Sequence, residues 1–354
     1  MAYATIRRAY RENQRTRAIV FLSGIWGAAA FTGPLLGGVL AEWGVWRWAF
    51  WIDVPFSLAV GLLAEATLSK QTESESNGAG ISVTTACARL ALLTGGALAV
   101  SIGSISATPL SSGIGVIIGV GLLVGLLRLE GAGGTGTNPF RLLPSGVYRP
   151  SNALGAVSLT MALIAGTTTA ATLYVPYVVT EVGGYLPIVG GYLSALMALS
   201  WTFAAFFTAS AEGIWAERSI VIGPACVCTG LALATYALIF GSLYLLAYGI
   251  GLSGAGVGIA WAHLGNLMMA HAKATEYDVS SAFISTNQLI SITLFSALSG
   301  MIANLAGFAD PTLGKIGVIK SVSWLFVCLS LISATSIPIS LVSVRLSAIE
   351  RSDR

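Results

Sequence analysis

The residues able to exchange a proton, hold a cation or bond a polar ligand are few, and most stand inside or beside apolar runs. Glu42, Arg47 and Asp53 share the stretch AEWGVWRWAFWIDVPF (41–56), and Asn287 and Gln288 are adjacent in SAFISTNQL (281–289). His263 and His271 are the two histidines. Groups of this kind surrounded by lipid are costly, so they mark either function or hydrogen bonding between helices. The chemistry they could support is reversible binding of a charge or a proton, not bond making. No nucleophile stands beside a base, and no phosphate-cradling glycine loop is present. The four cysteines, Cys87, Cys226, Cys228 and Cys328, form no Cys-x-x-Cys pair and read as small apolar packing residues. Two histidines cannot build a metal site alone. We therefore expect no enzyme, no metal, no cofactor and no nucleic-acid partner.

The elements that must position these residues follow from composition. Of 354 residues 55% are hydrophobic and 9% charged, with a mean hydropathy of +0.81. A soluble domain carries about a quarter charged residues, so this chain needs a bilayer as solvent. Apolar runs long enough to cross one recur throughout. They predict spans near 18–40, 49–68, 85–107, 113–129, 151–173, 188–209, 219–240, 243–262, 281–304 and 319–343. With the N-terminus in the cytoplasm, all 18 basic residues except Arg47, Lys315 and Lys320 fall on the cytoplasmic side. The positive-inside rule thus supports an even count with both ends inside.

Loops then divide the chain. Residues 1–17 form a basic cytoplasmic lead, and the apolar run after it is too long for the h-region of a signal peptide. Residues 18–68 hold two spans, 69–84 a polar flexible loop, and 85–129 two more spans. Residues 130–150 read as an interfacial segment, with Phe140, Leu142, Leu143, Val147 and Tyr148 between two arginines. Residues 151–344 form a six-span bundle, and 345–354 a cytoplasmic tail. The seventh and eighth spans meet in a tight turn near Gly241.

FTGPLLGG (31–38) is the most informative run. Lipid tails are as apolar as leucine, so helices in a bilayer associate by close packing, which small residues permit. Gly33, Gly37 and Gly38 leave one face nearly bare backbone. Pro34 removes one N–H and bends the helix, a bend that a packed neighbour makes tolerable. Similar pairs recur at Gly115/Gly119, Gly121/Gly125 and Gly254/Gly258, where ordinary helix packing is the plainer reading.

Followed by Trp46, Arg47, Trp48, Phe50, Ile52, Asp53 and Pro55, the Gly33-Pro34-x-x-Gly37-Gly38 run resembles the major facilitator superfamily. More narrowly it is similar to the drug:proton antiporter branch with fourteen spans, whose fifth span carries this signature and whose sixth opens with the tryptophan–arginine run. Val20 departs from a small position upstream of that signature. GIAWAHL (258–264) and SAFISTNQL resemble stretches before and within the fifth helix of the family's C-terminal bundle. The resemblance implies an all-α polytopic transmembrane bundle of about ten helices with four N-terminal spans absent. The implied function is proton-coupled efflux of small lipophilic or cationic compounds from a bacterial inner membrane. The implied partners are the lipid bilayer, a small-molecule substrate, protons as coupling ion, and a polypeptide supplying missing helices. Two alternatives stay open. One is an exporter of a different metabolite on the same fold; the other is a non-transporting remnant or half-transporter.

Individual residues carry two readings each. Asp53 either caps its helix start, with Pro55 in the first turn, or takes part in gating. Glu42 and Arg47 flank the outer turn, with Trp43, Trp46, Trp48 and Trp51 as an aromatic belt. Asn287 and Gln288 cannot share a face, so one lines a cavity between bundles or bonds a neighbouring helix. Tyr174, Tyr177 and Trp201 form a wall for a lipophilic cation or pack in the core.

Overall fold

The computed structural model describes residues 21–352 except 22–23, 26–27, 30–31, 34–35, 38–39, 41–42, 69–82, 106–108, 133–142, 148, 150, 273–275 and 311. The described residues between 21 and 40 are helical, and the short turn Trp48–Trp51 leads into α1 (Asp53–Leu68). A hairpin of α2 (Val83–Ile105) and α3 (Pro109–Ala132) follows. The remaining helices are α4 (Ala153–Tyr177), α5 (Pro187–Thr208), α6 (Ile214–Phe240), α7 (Leu243–Ala270), α8 (Tyr277–Leu305), α9 (Gly314–Ala334) and α10 (Ser336–Ser352). Helix is the expected answer in lipid, where each backbone donor and acceptor must be satisfied within its own segment.

Eight of these stretches are long and apolar enough to cross a membrane, among the described residues. They correspond to the second, third and fifth to tenth expected spans. The fourth is the shorter apolar stretch Gly113–Leu126 within α3. The first, 18–40, falls partly outside the described residues. Several helices outrun their hydropathy. The eighth span reaches Ala270, and the tenth comprises α9 and α10 from Gly314 onward. Residues 345–352, read as tail, continue α10. A helix does not stop at its first polar residue, because its own carbonyls still satisfy the next N–H groups.

Punctuation follows proline and glycine. Pro176 cannot donate to the Thr172 carbonyl, which accepts instead from Ser194 Oγ on α5 at 3.4 Å. A π-helical turn, Val178–Val182, follows within two residues. Pro338 likewise cannot reach the Ala334 carbonyl, and α9 gives way to α10 there. Gly241 adopts φ 70° between α6 and α7, and Ser242 caps α7 by accepting from Leu245 N–H at 3.3 Å. That is the tight turn the sequence predicts.

The core lies in α4–α9. Helix α7 is wedged between α5 and α6, α4 lies against α8 and α10, and α6 against α9. Both sides of α7 are glycine contacts. A Cβ added to Gly249 would sit 2.7 Å from Ala234 N, and one on Gly256 would sit 2.5 Å from Gly223 O. On the other side Gly254 and Gly258 would collide with the carbonyls of Met197 and Trp201 on α5. The hairpin uses the same device. A Cβ on Gly115 would meet Gly103 Cα at 2.5 Å, and one on Gly119 would meet Gly96 O at 2.7 Å. The hairpin joins the bundle through α2 and α8, where Asn304 Nδ2 donates to the Ser104 carbonyl at 2.9 Å.

Within 130–150, Leu143 and Val147 are buried in the bundle core. Their apolar character therefore goes into packing, not into the membrane interface. Ser145 donates through both N–H and Oγ to Glu276 Oε2 at 2.9 and 2.6 Å, fastening this segment to the head of α8.

Candidate functional site

Helices α4 and α8 run parallel, in register. Asn287 Nδ2 donates to the Ser158 carbonyl at 2.9 Å, and Phe295 lies against Gly166 at the same sequence separation. Asn287 and Phe295 therefore lie on the face toward α4. Asn287 is 8% exposed, and Gln288, one residue around the helix, is half-buried. Of the two readings for the pair, the structure gives Asn287 the bond between helices and leaves Gln288 turned aside.

The α4 side of this contact contains GTTTAATL (166–173). Thr160, Thr167 and Thr172 donate back to the Ala156, Leu163 and Thr169 carbonyls at 2.9, 2.6 and 2.8 Å. Such bonds hide a hydroxyl from lipid inside its own helix. Thr168 Oγ1 and Ser299 Oγ are buried without a hydrogen-bond partner among the described residues. An unanswered hydroxyl at this depth is the polar group a bound molecule would use. Sequence reasoning passed over both. The threonine run was the available signal, but which threonine bonds its own backbone is decided by rotamer.

The aromatic residues divide into two places. Tyr174 and Tyr177 gather around Phe308, with ring centroids 5.6 and 5.2 Å apart, at the end of α4 and the turn after α8. Tyr177 is 44% exposed. Trp201 meets buried Trp261 edge to face, ring centroids 5.3 Å apart, where the close approach at Gly258 sets the α5–α7 spacing. The structure therefore does not bring the three together as one wall. His263 Nε2 lies 3.0 Å from the Thr208 carbonyl, linking the same two helices further in.

The turn before α1 is exposed. The Arg47 guanidinium lies 4.5 Å from the Trp46 ring centroid, and Trp43, Trp46, Trp48 and Trp51 all present large exposed surfaces. Such rings suit the headgroup level. Asp53 is exposed in the first turn of α1, where a negative charge is favoured by the helix dipole. Gly33 and Gly37 are helical and exposed or half-buried, and a Cβ on either would meet nothing within 4 Å. Pro34, Gly38 and Glu42 lie outside the described residues. Among the described residues no group of three His, Cys, Asp or Glu side chains could hold a metal.

Comparison with known proteins gives this arrangement a context. Residues 1–296 match the family model described as Major Facilitator Superfamily. The chain is 28% identical over 319 residues to a probable multidrug-efflux transporter of Mycobacterium tuberculosis, covering 86% of this chain and 65% of that protein. It is 26% identical over 334 residues to an uncharacterized MFS-type transporter of the same organism, covering 89% of this chain and 45% of the relative. A shorter match, 33% over 49 residues, is to the multidrug efflux pump SdrM of Staphylococcus aureus, covering 14% of this chain and 11% of the pump. The chain thus spans about two thirds or less of the length of these curated relatives.

Proposed function

Because the chain belongs to the Major Facilitator Superfamily, we propose that it is a multi-pass exporter component, not an enzyme, moving small lipophilic or cationic compounds out of the cell in exchange for protons. The observation that carries this reading is the similarity to a probable multidrug-efflux transporter along 86% of the chain. The scarcity of ionisable groups in the spans supports lipophilic cargo over sugars, whose sites need dense polar contacts.

In this reading two bundles rock about a site near the bilayer midplane. The Thr168 and Ser299 hydroxyls supply polar contacts from α4 and α8, and the Gln288 amide lines a neighbouring face of α8. Tyr174 and Tyr177 form an aromatic lip on the outer side, and Trp201 fixes α5 against α7. The Gly33–Gly38 face is a contact surface between bundles that seals the outward path against ion leak. Asp53 and Arg47 sit at its outer end, and a bacterial inner membrane is the setting.

A second reading is favoured by one feature. The stretch Trp48–Ala66 is 0% buried, although it is apolar enough to span. A membrane protein whose first helices await partners from another polypeptide has this appearance. Ethidium efflux from energised cells, measured with and without a protonophore after insertion is verified, separates the two. Protonophore-sensitive efflux is the expected result for the exporter. A well-inserted chain with no efflux, restored by co-expression of a segment supplying N-terminal helices, would establish the second.

A further inference from the structure

Three helix ends meet at one carboxylate on the inner side of the bundle. Ser336, Ser340, Ser343 and Ser347 recur at helical spacing along α10 and are fully buried, where the helix lies against α4 and α6. About one turn further on, the same face delivers Glu350. Its Oε1 accepts from Ala153 N–H at 3.4 Å, at the N-terminus of α4. That helix end favours a negative charge. Its Oε2 lies 3.5 Å from Nε2 of His271, at the end of α7.

The other nitrogen of His271 decides the chemistry. Nδ1 lies 2.9 Å from the Leu267 carbonyl. Both ring nitrogens therefore face oxygen acceptors. A neutral imidazole has one N–H and one lone pair. If its proton serves Leu267, the lone pair points at a carboxylate. Only the imidazolium can donate both ways. The His271 side chain is 5% exposed and that of Glu350 40%, so solvent reaches the carboxylate more readily than the ring.

Among the described residues, other charged side chains also stand near this junction. Glu276, at the head of α8, accepts from Ser145. Arg149 before α4 and Arg345 on α10 are exposed. At the head of α6, Arg218 lies 4.9 Å from the Trp215 ring, next to half-buried Glu217. Within 4.0 Å of the His271 ring, Glu350 is the carboxylate found among the described residues.

We propose that His271 and Glu350 form a proton-dependent clasp that fastens the inner end of α10 to the head of α4 and the C-terminal end of α7. The imidazolium is the form that grips both oxygens, so the clasp is shut in acid and opens as the pH rises. Loss of the proton removes a donor to Glu350 and replaces attraction with lone-pair repulsion. The inner end of the last span thereby reports the acidity of its own side of the membrane.

Nitroxide labels at Ala348→Cys and Glu212→Cys, both exposed positions, would read the clasp in the full chain in lipid nanodiscs, with native cysteines replaced by alanine. The distance distribution is expected to be narrow at about pH 5.5 and broad at about pH 8. His271→Gln, whose amide donates at any pH, should stay narrow throughout. Glu350→Gln should give the same distribution at both pH values. His271→Ala should be broad at both, and the glutamine variant carries the test should the alanine variant fail to insert. An unsubstituted chain with no pH response would overturn the proposal. So would a pH response that survives unchanged in His271→Gln and Glu350→Gln.

Discussion

Two stretches of this chain set glycines four residues apart on a helix, and they differ in what lies over them. On α7, Gly254 and Gly258 would collide with α5 carbonyls, and Gly249 and Gly256 have α6 backbone within 2.7 Å of an added Cβ. In the helical stretch before Gly44, a Cβ added to Gly33 or Gly37 would meet nothing within 4 Å among the described residues. The same spacing that closes one interface leaves the other open. A small-residue motif therefore records a capacity for close approach, and only the neighbour turns that capacity into stability. The core helix has used its capacity on both sides.

The contrast can be broken by adding side chains. Gly258→Leu should be the most damaging, because the Trp201 carbonyl is backbone and cannot swing aside. Overpacking costs about 1–3 kcal/mol, occasionally more, and this site belongs at or above the upper end. Loss of the folded bundle in a detergent melting assay is the expected result. A variant that melts like the parent would mean the α5–α7 crossing is looser than the structure shows.

Next in size is Asn287→Ala, which removes the bond from α8 to the Ser158 carbonyl. Hydrogen bonds between membrane helices average about 0.6 kcal/mol and reach about 1.7. A small drop in melting temperature is expected, with the fold intact. Gly33→Leu and Gly37→Leu should leave bundle stability within about 0.5 kcal/mol of the parent. The corresponding double replacement in a full-length relative should nonetheless abolish tight efflux, if that face seals the outward path. Unchanged transport and leak there would remove the sealing role.

The smallest effect concerns the turn between α8 and α9. In the turn before α9, Asp310 accepts from Thr312 N–H at 2.9 Å and from its hydroxyl at 2.6 Å. The Thr312 hydroxyl and N–H hold its carboxyl below the usual carboxylate range. The turn is thus favoured above the ordinary carboxylate range and loses that support as the pH falls through the lowered value. Thr312→Val should move the Asp310 titration upward, as followed by carboxyl NMR. An unchanged titration would mean that the hydroxyl does not contribute.

Most of the span pattern was legible because hydropathy is a local property that a bilayer enforces. So was the turn at Gly241, where only two residues separate α6 from α7. The α4–α8 contact was half legible. Adjacent Asn287 and Gln288 had to part company, but which one met Ser158 depended on a register between helices 129 residues apart. Leu143 and Val147 look interfacial in sequence because their covering surface comes from other elements. Tyr174 and Tyr177 found Phe308 through a loop that hydropathy does not place. The serine face of α10 was missed for the opposite reason: it weakens hydropathy and so reads as the fading end of a span.

That serine face has a mechanical side. Ser336, Ser340 and Ser343 give their protons to the Ser333, Ile337 and Ser340 carbonyls of their own chain segment. None of these three hydroxyl bonds crosses to α4 or α6, so small displacements of α10 along those helices break none of them. A contact of this kind has little static friction. Whatever holds its far end in place also sets where the rod comes to rest.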